Sequence, residues 1–343
     1  MIFISINLSE MKPYRYACVD ESILLPYLKK YVFVVLHRIV PYGVPANYLT
    51  VVSIIIMWTA FTYFVTIEEV NSEAVLVAIF AILLYVIFDH FDGLQAKASQ
   101  TSSPLGEILD HYSDVFNGAI VVYLCFRCMH LQLGWLFLIV LWFNFLAFAV
   151  TYVEQRERRE LYFGKIGSLE GVILILLVML SCLSFAGLDV WHQPGLFSQP
   201  NYLLLFTVFL LGCLFTAYGC IDRIGHCPAD FLHFSVAGTV LMLICGAYSI
   251  PWYLASLVIT GYSSDYILNS MQTYFFGISG RHPDPALLLL LAGVALLQLV
   301  SWNVTPLIII FWIYGLLMAG KIFWRGRNMW QELKVFWIWW NER

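Results

Sequence analysis

One stretch of this sequence, from Asp89 to Asp114, concentrates residues that could do chemistry. It holds four aspartates, in a chain of 343 residues of which only 12% are charged. Asp89 and Asp92 are three residues apart, and Asp110 and Asp114 are four apart, so each pair lies on one face of a helix. The Ser-Ser-Pro-Leu-Gly sequence at 102–106 is typical of a turn. The pattern predicts two antiparallel helices, each presenting a carboxylate pair to the other.

Carboxylates this close together at a membrane boundary cannot all remain ionised without positive charge beside them. Divalent metal ions supply such charge, and a site made of hard oxygen ligands suits magnesium, manganese or calcium rather than zinc. Two ions held close together would clamp the phosphates of a substrate and stabilise the attacking and leaving oxygens. The residues alone therefore predict metal-assisted phosphoryl chemistry. Intramembrane carboxylates indicate a functional site by default. The alternative function is a polar cluster that lines the pathway of a metal or ion transporter.

Membrane helices must position these residues, because 61% of the chain is hydrophobic, which is outside the range of soluble domains. We expect an all-α polytopic transmembrane helix bundle of about ten spans, within a range of about eight to ten. The apolar runs lie near 48–67, 73–97, 105–128, 132–155, 166–183, 201–219, 230–250, 252–275, 285–301 and 304–323. Polar residues from Ser263 to Asp265 interrupt the run 252–275, which predicts a broken or partly re-entrant span.

Both ends of the chain are expected to lie along the membrane surface. The segment from Glu21 to Tyr42 mixes apolar residues with Lys, His and Arg, which predicts an interfacial helix; a solvated amphipathic helix packed on the bundle is the alternative. The tail alternates Trp with charged residues and predicts a second interfacial helix. The resulting divisions are an N-terminal segment at 1–45, helices that carry the aspartates at 46–183, further transmembrane helices at 184–323 and a tail at 324–343.

The distribution of charge predicts the orientation in the membrane. With ten spans, all of the 18 Lys and Arg residues except Arg127 fall on one side. By the positive-inside rule, both termini and the aspartate stretch face the cytosol. The net charge of −4 gives no indication of a nucleic-acid partner, and we expect none. The eight Cys are scattered through apolar runs and are expected to be small core residues rather than a disulfide framework.

The stretch 89–114 resembles the signature of the CDP-alcohol phosphotransferase family. That signature reads D-x-x-D-G-x-x-A-R, eight residues, G, three residues, D, three residues, D. The positions in register here are Asp89, Asp92, Gly93, Ala96, Gly106, Asp110 and Asp114. Lys97 stands where the family usually has Arg, so the charge is kept but the bidentate fork for phosphate is lost.

The resemblance implies that a CDP-alcohol donates its phosphoalcohol or phosphatidyl group to an acceptor hydroxyl and that CMP leaves. The four aspartates would hold two ions, Mg²⁺ or Mn²⁺, on the pyrophosphate. The small side chains would let the nucleotide approach closely, and Lys97 would neutralise phosphate charge. Asn47 lies in the segment Pro-Ala-Asn-Tyr-Leu-Thr at 45–50, which resembles the Pro-Asn-x-x-Thr entry to the first span in the family, and it is expected near the cytidine; a plain helix cap is the alternative. The residues expected to bind the CDP-alcohol are Asn47, Asp89, Gly93, Ala96, Lys97 and Gly106.

Residues 102–114 resemble the choline/ethanolamine phosphotransferase branch of the family. This implies transfer of phosphocholine or phosphoethanolamine to diacylglycerol, whose hydroxyl needs a base at the moment of attack. In that branch a His–Glu pair beside the metals is the expected base, which maps to His111 and Glu170. Asp114 is the competing base, and a role for His111 as a hydrogen-bonding neighbour of the ligands stays open.

Other readings differ in substrate or in class. A CDP-diacylglycerol-dependent phosphatidyltransferase would use another alcohol, such as inositol, serine or glycerol phosphate. The resemblance also implies a lipid acceptor pocket and contacts with a second copy of the chain in residues 184–323. We expect the endoplasmic reticulum or Golgi membrane in a eukaryote and the inner membrane in a bacterium. Besides the CDP-alcohol and diacylglycerol, the expected partners are membrane lipids and a second copy of the chain, since family members are often dimers.

Overall fold

The computed structural model describes residues 17–277, 285–300 and 304–341. In these ranges the chain is a bundle of α-helices, as the composition predicts. The helices are α1 (Leu25–Leu28), α2 (Val34–His37), α3 (Ala46–Thr66), α4 (Ser72–Ala98), α5 (Pro104–Cys128), α6 (Trp135–Arg158), α7 (Ser168–Ser181), α8 (Phe185–His192), α9 (Asn201–Ile224), α10 (Ala229–Ala247), α11 (Trp252–Phe276), α12 (Pro285–Val300) and α13 (Val304–Asn341). A π-helical turn, Lys29–Phe33, joins α1 to α2, and a 3₁₀ turn, Leu196–Ser198, precedes α9. Two short strands, β1 (Cys18–Asp20) and β2 (Leu161–Phe163), pair in parallel.

Six helices of the described chain are long and apolar enough to cross a membrane, namely α3, α4, α6, α9, α10 and residues 307–327 of α13. Helices α7 and α8 would add a seventh crossing if the pair, bent by 117°, forms one span. The sequence predicts about ten spans, and the difference lies in α5, α11 and α12. Helices α5 and α11 have 25 residues each but carry polar side chains within the bundle, and α12 has only 16 residues.

Helices α4 and α5 bring the two aspartate pairs together at one end of the bundle. The Asn71 side chain caps α4 by accepting a hydrogen bond from Ala74 N, and the Ser103 side chain caps α5 by accepting one from Gly106 N. Pro104 occupies the first helical position of α5, where its missing N–H has no cost. The short connection makes the two helices antiparallel, and α3 packs against both of them. The end of α4 and the start of α5 therefore face each other.

The core lies around α5 and α6, where residues such as Leu124, Phe126 and Phe145 are fully buried. The outer helix α9 instead exposes large apolar side chains, among them Leu214 and Phe215. Apolar side chains on the outside and close packing inside are expected of a helix bundle in lipid, where every helix satisfies its own backbone.

Helix α11 is continuous, so the break or re-entrant turn predicted for 252–275 is wrong. Asp265 in the middle of α11 is buried, and its Oδ2 lies 2.6 Å from Lys321 Nζ of α13. Its Oδ1 lies 3.4 Å from Arg325 Nη2 of the same helix. Because α13 supplies positive charge, a carboxylate can lie inside the bundle without breaking its own helix. The sharp bend occurs instead between α7 and α8.

The first described residues form β1 and then the short helices α1 and α2, and the last described residues are helical. The Phe33 side chain is buried, and its ring stacks on the imidazole of His90 in α4 with 4.1 Å between the ring centroids. Tyr27 and Tyr31 are exposed. Residues 1–16 of the predicted N-terminal segment lie outside the described residues. At the other end, α13 runs without interruption to Asn341, so the predicted tail helix is the continuation of the last span.

Candidate active site

Three of the four predicted ligands form a compact group. One carboxylate oxygen from each of Asp89, Asp110 and Asp114 lies within 4.8 Å of the others, and all three residues are half-buried. The Tyr85 hydroxyl donates a hydrogen bond of 2.8 Å to Asp114 Oδ1. Asp110 Oδ1 is buried and has no hydrogen-bond partner among the described residues. Several hard oxygens converging on one point, with one buried oxygen left over, fit a Mg²⁺ or Mn²⁺ site.

Asp92, the fourth predicted ligand, is turned toward α3. It is 6% exposed, and its Oδ2 accepts a hydrogen bond of 2.6 Å from the buried Thr50 hydroxyl. Its carboxylate also lies beside that of Asp110. Asp92 therefore lies on the α3 side of the group of three, and its Oδ2 is bonded to Thr50. Its role as a metal ligand stays a prediction.

An open face of α4 extends from the carboxylate group toward the end of the helix. Asp89, Gly93 and Ala96 follow one another at intervals of four and three residues, so they lie on the same side of the helix. Gly93 is exposed, and within the described residues no atom outside its own stretch of helix lies within 4 Å of the place where a Cβ would stand. Lys97, also exposed, follows at the end of the helix. This face offers room beside the carboxylates and a positive charge at its far end.

The first turns of α3 and α5 contact each other beside the group. A Cβ added at Gly106 would lie 3.2 Å from Asn47 Oδ1 and 3.2 Å from Ser103 Oγ, a tight approach that favours glycine. The N-cap of α3 is Pro45, so the alternative role of Asn47 as a plain cap is wrong. Asn47 instead lies against the turn that carries Gly106. Its predicted contact with the cytidine stays a prediction.

The predicted base His111 lies next to the carboxylates. It is 9% exposed, and its Nδ1 is 3.7 Å from Asp110 Oδ2. On its other side, the imidazole ring lies 5.9 Å from the ring of Tyr152 on α6. The side chain is thus held between a metal-ligand candidate and the core of the bundle.

Glu170, the predicted partner of His111, binds the N-terminal segment (residues 17–44). Its Oε1 accepts hydrogen bonds from Ser22 Oγ at 2.5 Å and from Leu24 N at 3.1 Å. Its Oε2 accepts a bond of 2.8 Å from Gly167 N, the N-cap of α7. Both oxygens are therefore engaged at the start of α7. The pairing of Glu170 with His111 as a catalytic base stays a prediction.

A family model for CDP-alcohol phosphatidyltransferase matches residues 44–218, just over half of the chain. The chain belongs to the CDP-alcohol phosphatidyltransferase family. The matched residues include α3, α4 and α5 in full, so the whole carboxylate group falls within the family region.

Curated proteins of this family resemble the chain over about half of its length. Cholinephosphotransferase 1 of Gallus gallus is 29% identical over 210 residues, 55% of this chain and 59% of its own. Choline/ethanolaminephosphotransferase 1 of Saccharomyces cerevisiae is 21% identical over 192 residues, 54% of this chain and 49% of its own. An uncharacterised class-I family protein of Schizosaccharomyces pombe is 26% identical over 178 residues, 50% of this chain and 46% of its own. The chain thus spans about half the length of the curated relatives it matches.

Three side chains that lie beside the carboxylate group or its helices were not predicted from the sequence as site residues. Tyr85 precedes Asp89 by four residues, so helical spacing could have placed it on the carboxylate face. Thr50 ends the segment at 45–50 that resembles the family's entry to the first span, but only a tertiary contact shows that it bonds Asp92. Gln95 is buried one turn beyond Asp92, and nothing in the local sequence signals its partners.

Proposed function

We propose that this protein is an integral membrane enzyme that transfers phosphocholine or phosphoethanolamine from a CDP-alcohol to the hydroxyl of diacylglycerol, with release of CMP. The grouping of the Asp89, Asp110 and Asp114 oxygens within 4.8 Å, beside an open helix face, carries the proposal. Family membership supports the CDP-alcohol donor. Relatives named cholinephosphotransferase and choline/ethanolaminephosphotransferase support the head group and the branch.

In this proposal the protein supplies a rigid cradle for the diphosphate of the donor. Asp89, Asp110 and Asp114, together with Asp92, would hold two divalent ions, Mg²⁺ or Mn²⁺. Bound there, such ions neutralise the diphosphate and stabilise the charge that develops on the leaving CMP. The open face at Gly93 receives the donor, and Lys97 adds a point charge at its end.

The acceptor hydroxyl also needs a base beside the carboxylates. We assign this role to His111, whose Nδ1 lies 3.7 Å from Asp110, with Asp114 as the competing assignment. Glu170 would support His111 in the predicted pair, although its oxygens bind the N-terminal segment in this structure. His111→Gln should reduce transfer while leaving Mn²⁺ binding intact, whereas Asp114→Asn should reduce both. Loss of Mn²⁺ binding in His111→Gln would contradict the assignment.

We also propose that both termini and the site face the cytosol, where water-soluble CDP-alcohols are found. The endoplasmic reticulum or Golgi membrane of a eukaryote, or the inner membrane of a bacterium, would place the site there. Cys227, in the connection from α9 to α10 on the same side of the predicted topology, is exposed. A membrane-impermeant maleimide should label Cys227 in sealed vesicles whose cytosolic face is outside. Labelling that requires the vesicles to be opened would reverse the topology.

The direct test is a transfer assay with purified protein in lipid. Radiolabelled CDP-choline and CDP-ethanolamine are supplied with diacylglycerol, and CDP-diacylglycerol is supplied with inositol, serine or glycerol phosphate in parallel. We expect a phospholipid product from the first pair of donors. Asp110→Asn should abolish the product, whereas Asp222→Asn, the same change at an exposed position of α9, should leave it unchanged.

Each alternative function gives a different outcome in this assay. Product only from CDP-diacylglycerol would make the protein a phosphatidyltransferase that acts on another alcohol. No product from any CDP-alcohol, together with metal uptake into sealed vesicles, would make it a transporter. Transfer by Asp110→Asn near the wild-type rate would show that the carboxylate group is not the catalytic site.

A further inference from the structure

Gln95 is buried at the end of α4 and binds a whole loop of the N-terminal segment. It is 1% exposed, and the two N–H groups of its Nε2 are shared among three backbone carbonyl oxygens within hydrogen-bond distance. The acceptors are Pro41 O at 3.2 Å, Tyr42 O at 3.0 Å and Val44 O at 2.7 Å. The Oε1 of Gln95 lies 3.0 Å from His37 Nε2. One side-chain amide therefore fixes the chain from residue 37 to residue 44.

The shortest of these bonds lies next to the start of α3. Val44 is followed by Pro45, the N-cap of α3, and the helix begins at Ala46. Asn47 then contacts the Gly106 turn, and Thr50, one turn later, donates to Asp92. Because so few residues separate Val44 from Asn47, the position of the Val44 carbonyl sets where the first turn of α3 lies.

The end of α4 thus has two faces with different tasks. The open face carries Gly93 and Lys97, whereas the buried face carries Asp92 and Gln95. The two buried side chains both reach toward α3 and the segment before it, Asp92 through Thr50 and Gln95 through Val44. The amide of the buried Gln95 finds its hydrogen-bond partners in this segment, so loss of the amide would release the segment.

We infer that Gln95 is a positioning residue for binding of the CDP-alcohol. It holds residues 37–44 against α4, and this places Asn47 beside Gly106 and Thr50 beside Asp92. The inference rests on the proposed function, because it assumes that the first turn of α3 lines the donor site. It differs from a purely structural role, since it predicts an effect on one substrate and not on the other.

The test compares two variants that each lose a buried hydrogen bond to a backbone carbonyl. Gln95→Met keeps the length of the side chain but removes the amide. Tyr123→Phe is the control, because the Tyr123 hydroxyl donates to Phe64 O at the opposite end of α3. In Gln95→Met we expect KM for CDP-choline to rise about tenfold, with KM for diacylglycerol unchanged and kcat within about threefold of wild type. Tyr123→Phe should change none of the three.

Two further measurements keep the inference testable if Gln95→Met folds poorly or if no transfer occurs. His37→Phe removes the imidazole partner of Gln95 Oε1 but keeps an aromatic ring against Phe91, and it should raise KM for CDP-choline about threefold. CMP with Mn²⁺ should raise the Tm of the wild type and of Tyr123→Phe, and should raise that of Gln95→Met and His37→Phe less.

The outcomes separate this inference from the proposed function. A wild type that is stabilised by CMP but transfers nothing would refute the function, while a weaker CMP effect in Gln95→Met would still support the positioning role. Equal kinetic changes in Gln95→Met and Tyr123→Phe would make Gln95 an ordinary fold anchor. A fall in kcat with unchanged KM, or no stabilisation of the wild type by CMP, would also overturn the inference.

Discussion

Acidic side chains are buried in two regions of this bundle, and the regions differ in what neutralises them. On α6, α10 and α11 themselves, each buried or half-buried acid meets an Arg or Lys from another helix. The pairs are Glu154 with Arg223 at 2.6 Å, Asp230 with Arg156 at 2.7 Å and Asp265 with Lys321 at 2.6 Å. Around α4 and α5, the described residues place no Arg or Lys within ion-pair distance of Asp89, Asp110 or Asp114, whose neighbours of basic type are His90 and His111.

The difference separates acids that pair within the fold from acids that we propose to bind a cation. A buried carboxylate that the chain itself neutralises is satisfied, and breaking its pair destabilises the protein. A group of carboxylates without built-in counter-charge gains its compensation from a bound cation. We call Glu154, Asp230 and Asp265 with their basic partners the paired region, and the Asp89, Asp110 and Asp114 group the unpaired region. The paired region should govern stability, and the unpaired region should govern cation binding and transfer.

Removal of divalent cations should have the largest effect on the unpaired region. We expect chelation with EDTA to abolish phosphoalcohol transfer and added Mg²⁺ or Mn²⁺ to restore it, because the carboxylate group cannot bind a diphosphate without them. The radiolabelled transfer assay measures this loss and recovery of activity. Circular dichroism is the control, and the helix content of the protein should be unchanged by EDTA. Full transfer in the presence of EDTA would contradict the proposal that the carboxylate group acts through a bound divalent cation.

In the paired region, Glu154→Gln should affect stability rather than chemistry. The Glu154 side chain is 1% exposed and accepts two hydrogen bonds from Arg223, so its loss leaves a cation without its partner. We expect the free energy of unfolding to fall by about 2–3 kcal/mol, at the low end for a broken buried pair because Arg223 is 28% exposed. Thermal denaturation checks the stability. Mn²⁺ affinity of the folded protein should be unchanged, and a large loss of affinity would contradict the separation.

Thr50→Val tests the link between the carboxylate site and α3. The variant keeps the shape of the side chain but removes the 2.6 Å hydrogen bond to Asp92, so the carboxylate loses its orientation. We expect about a tenfold loss of transfer and of Mn²⁺ affinity, as for other residues that orient metal ligands. Thr62→Val, which removes a hydroxyl from the exposed side of the same helix, is the matched control and should behave as wild type. Identical behaviour of the two variants would remove Thr50 from the site.

The smallest effect is expected at Lys97, on the open face. Lys97→Ala should raise KM for the CDP-alcohol about threefold, because an exposed charge contributes on the order of 1 kcal/mol or less. Lys97→Arg, which introduces the residue usual in the family signature, should keep KM at or below the wild-type value. Steady-state kinetics at low and high salt check both. An increase of KM in Lys97→Arg equal to that in Lys97→Ala would show that charge at this position is not what binds the donor.

The helices near the site could be predicted closely from the sequence. The predicted spans 73–97 and 105–128 differ from α4 and α5 by one residue at most at each end, because apolar runs, a Pro and polar caps mark them locally. The grouping of Asp89, Asp110 and Asp114 followed from helical spacing and the turn between the helices. These features depend on residues that are near one another in the chain.

Features set by distant residues could not be predicted in this way. The continuity of α11 depends on Lys321, which is 56 residues beyond Asp265. The orientation of Asp92 depends on Thr50, and that of Glu170 on Ser22, 148 residues earlier. The parallel pairing of β1 with β2 involves only three residues from each strand, too few to give a periodic signal.

Binding of Mn²⁺ to the purified protein, followed by electron paramagnetic resonance, tests the central claim most directly. Wild type should bind Mn²⁺ with saturation and should release it to Mg²⁺. Asp110→Asn should lose this binding while folding normally, and Asp222→Asn should retain it. Equal Mn²⁺ binding by wild type and Asp110→Asn would contradict the assignment of the Asp89, Asp110 and Asp114 group as the cation site.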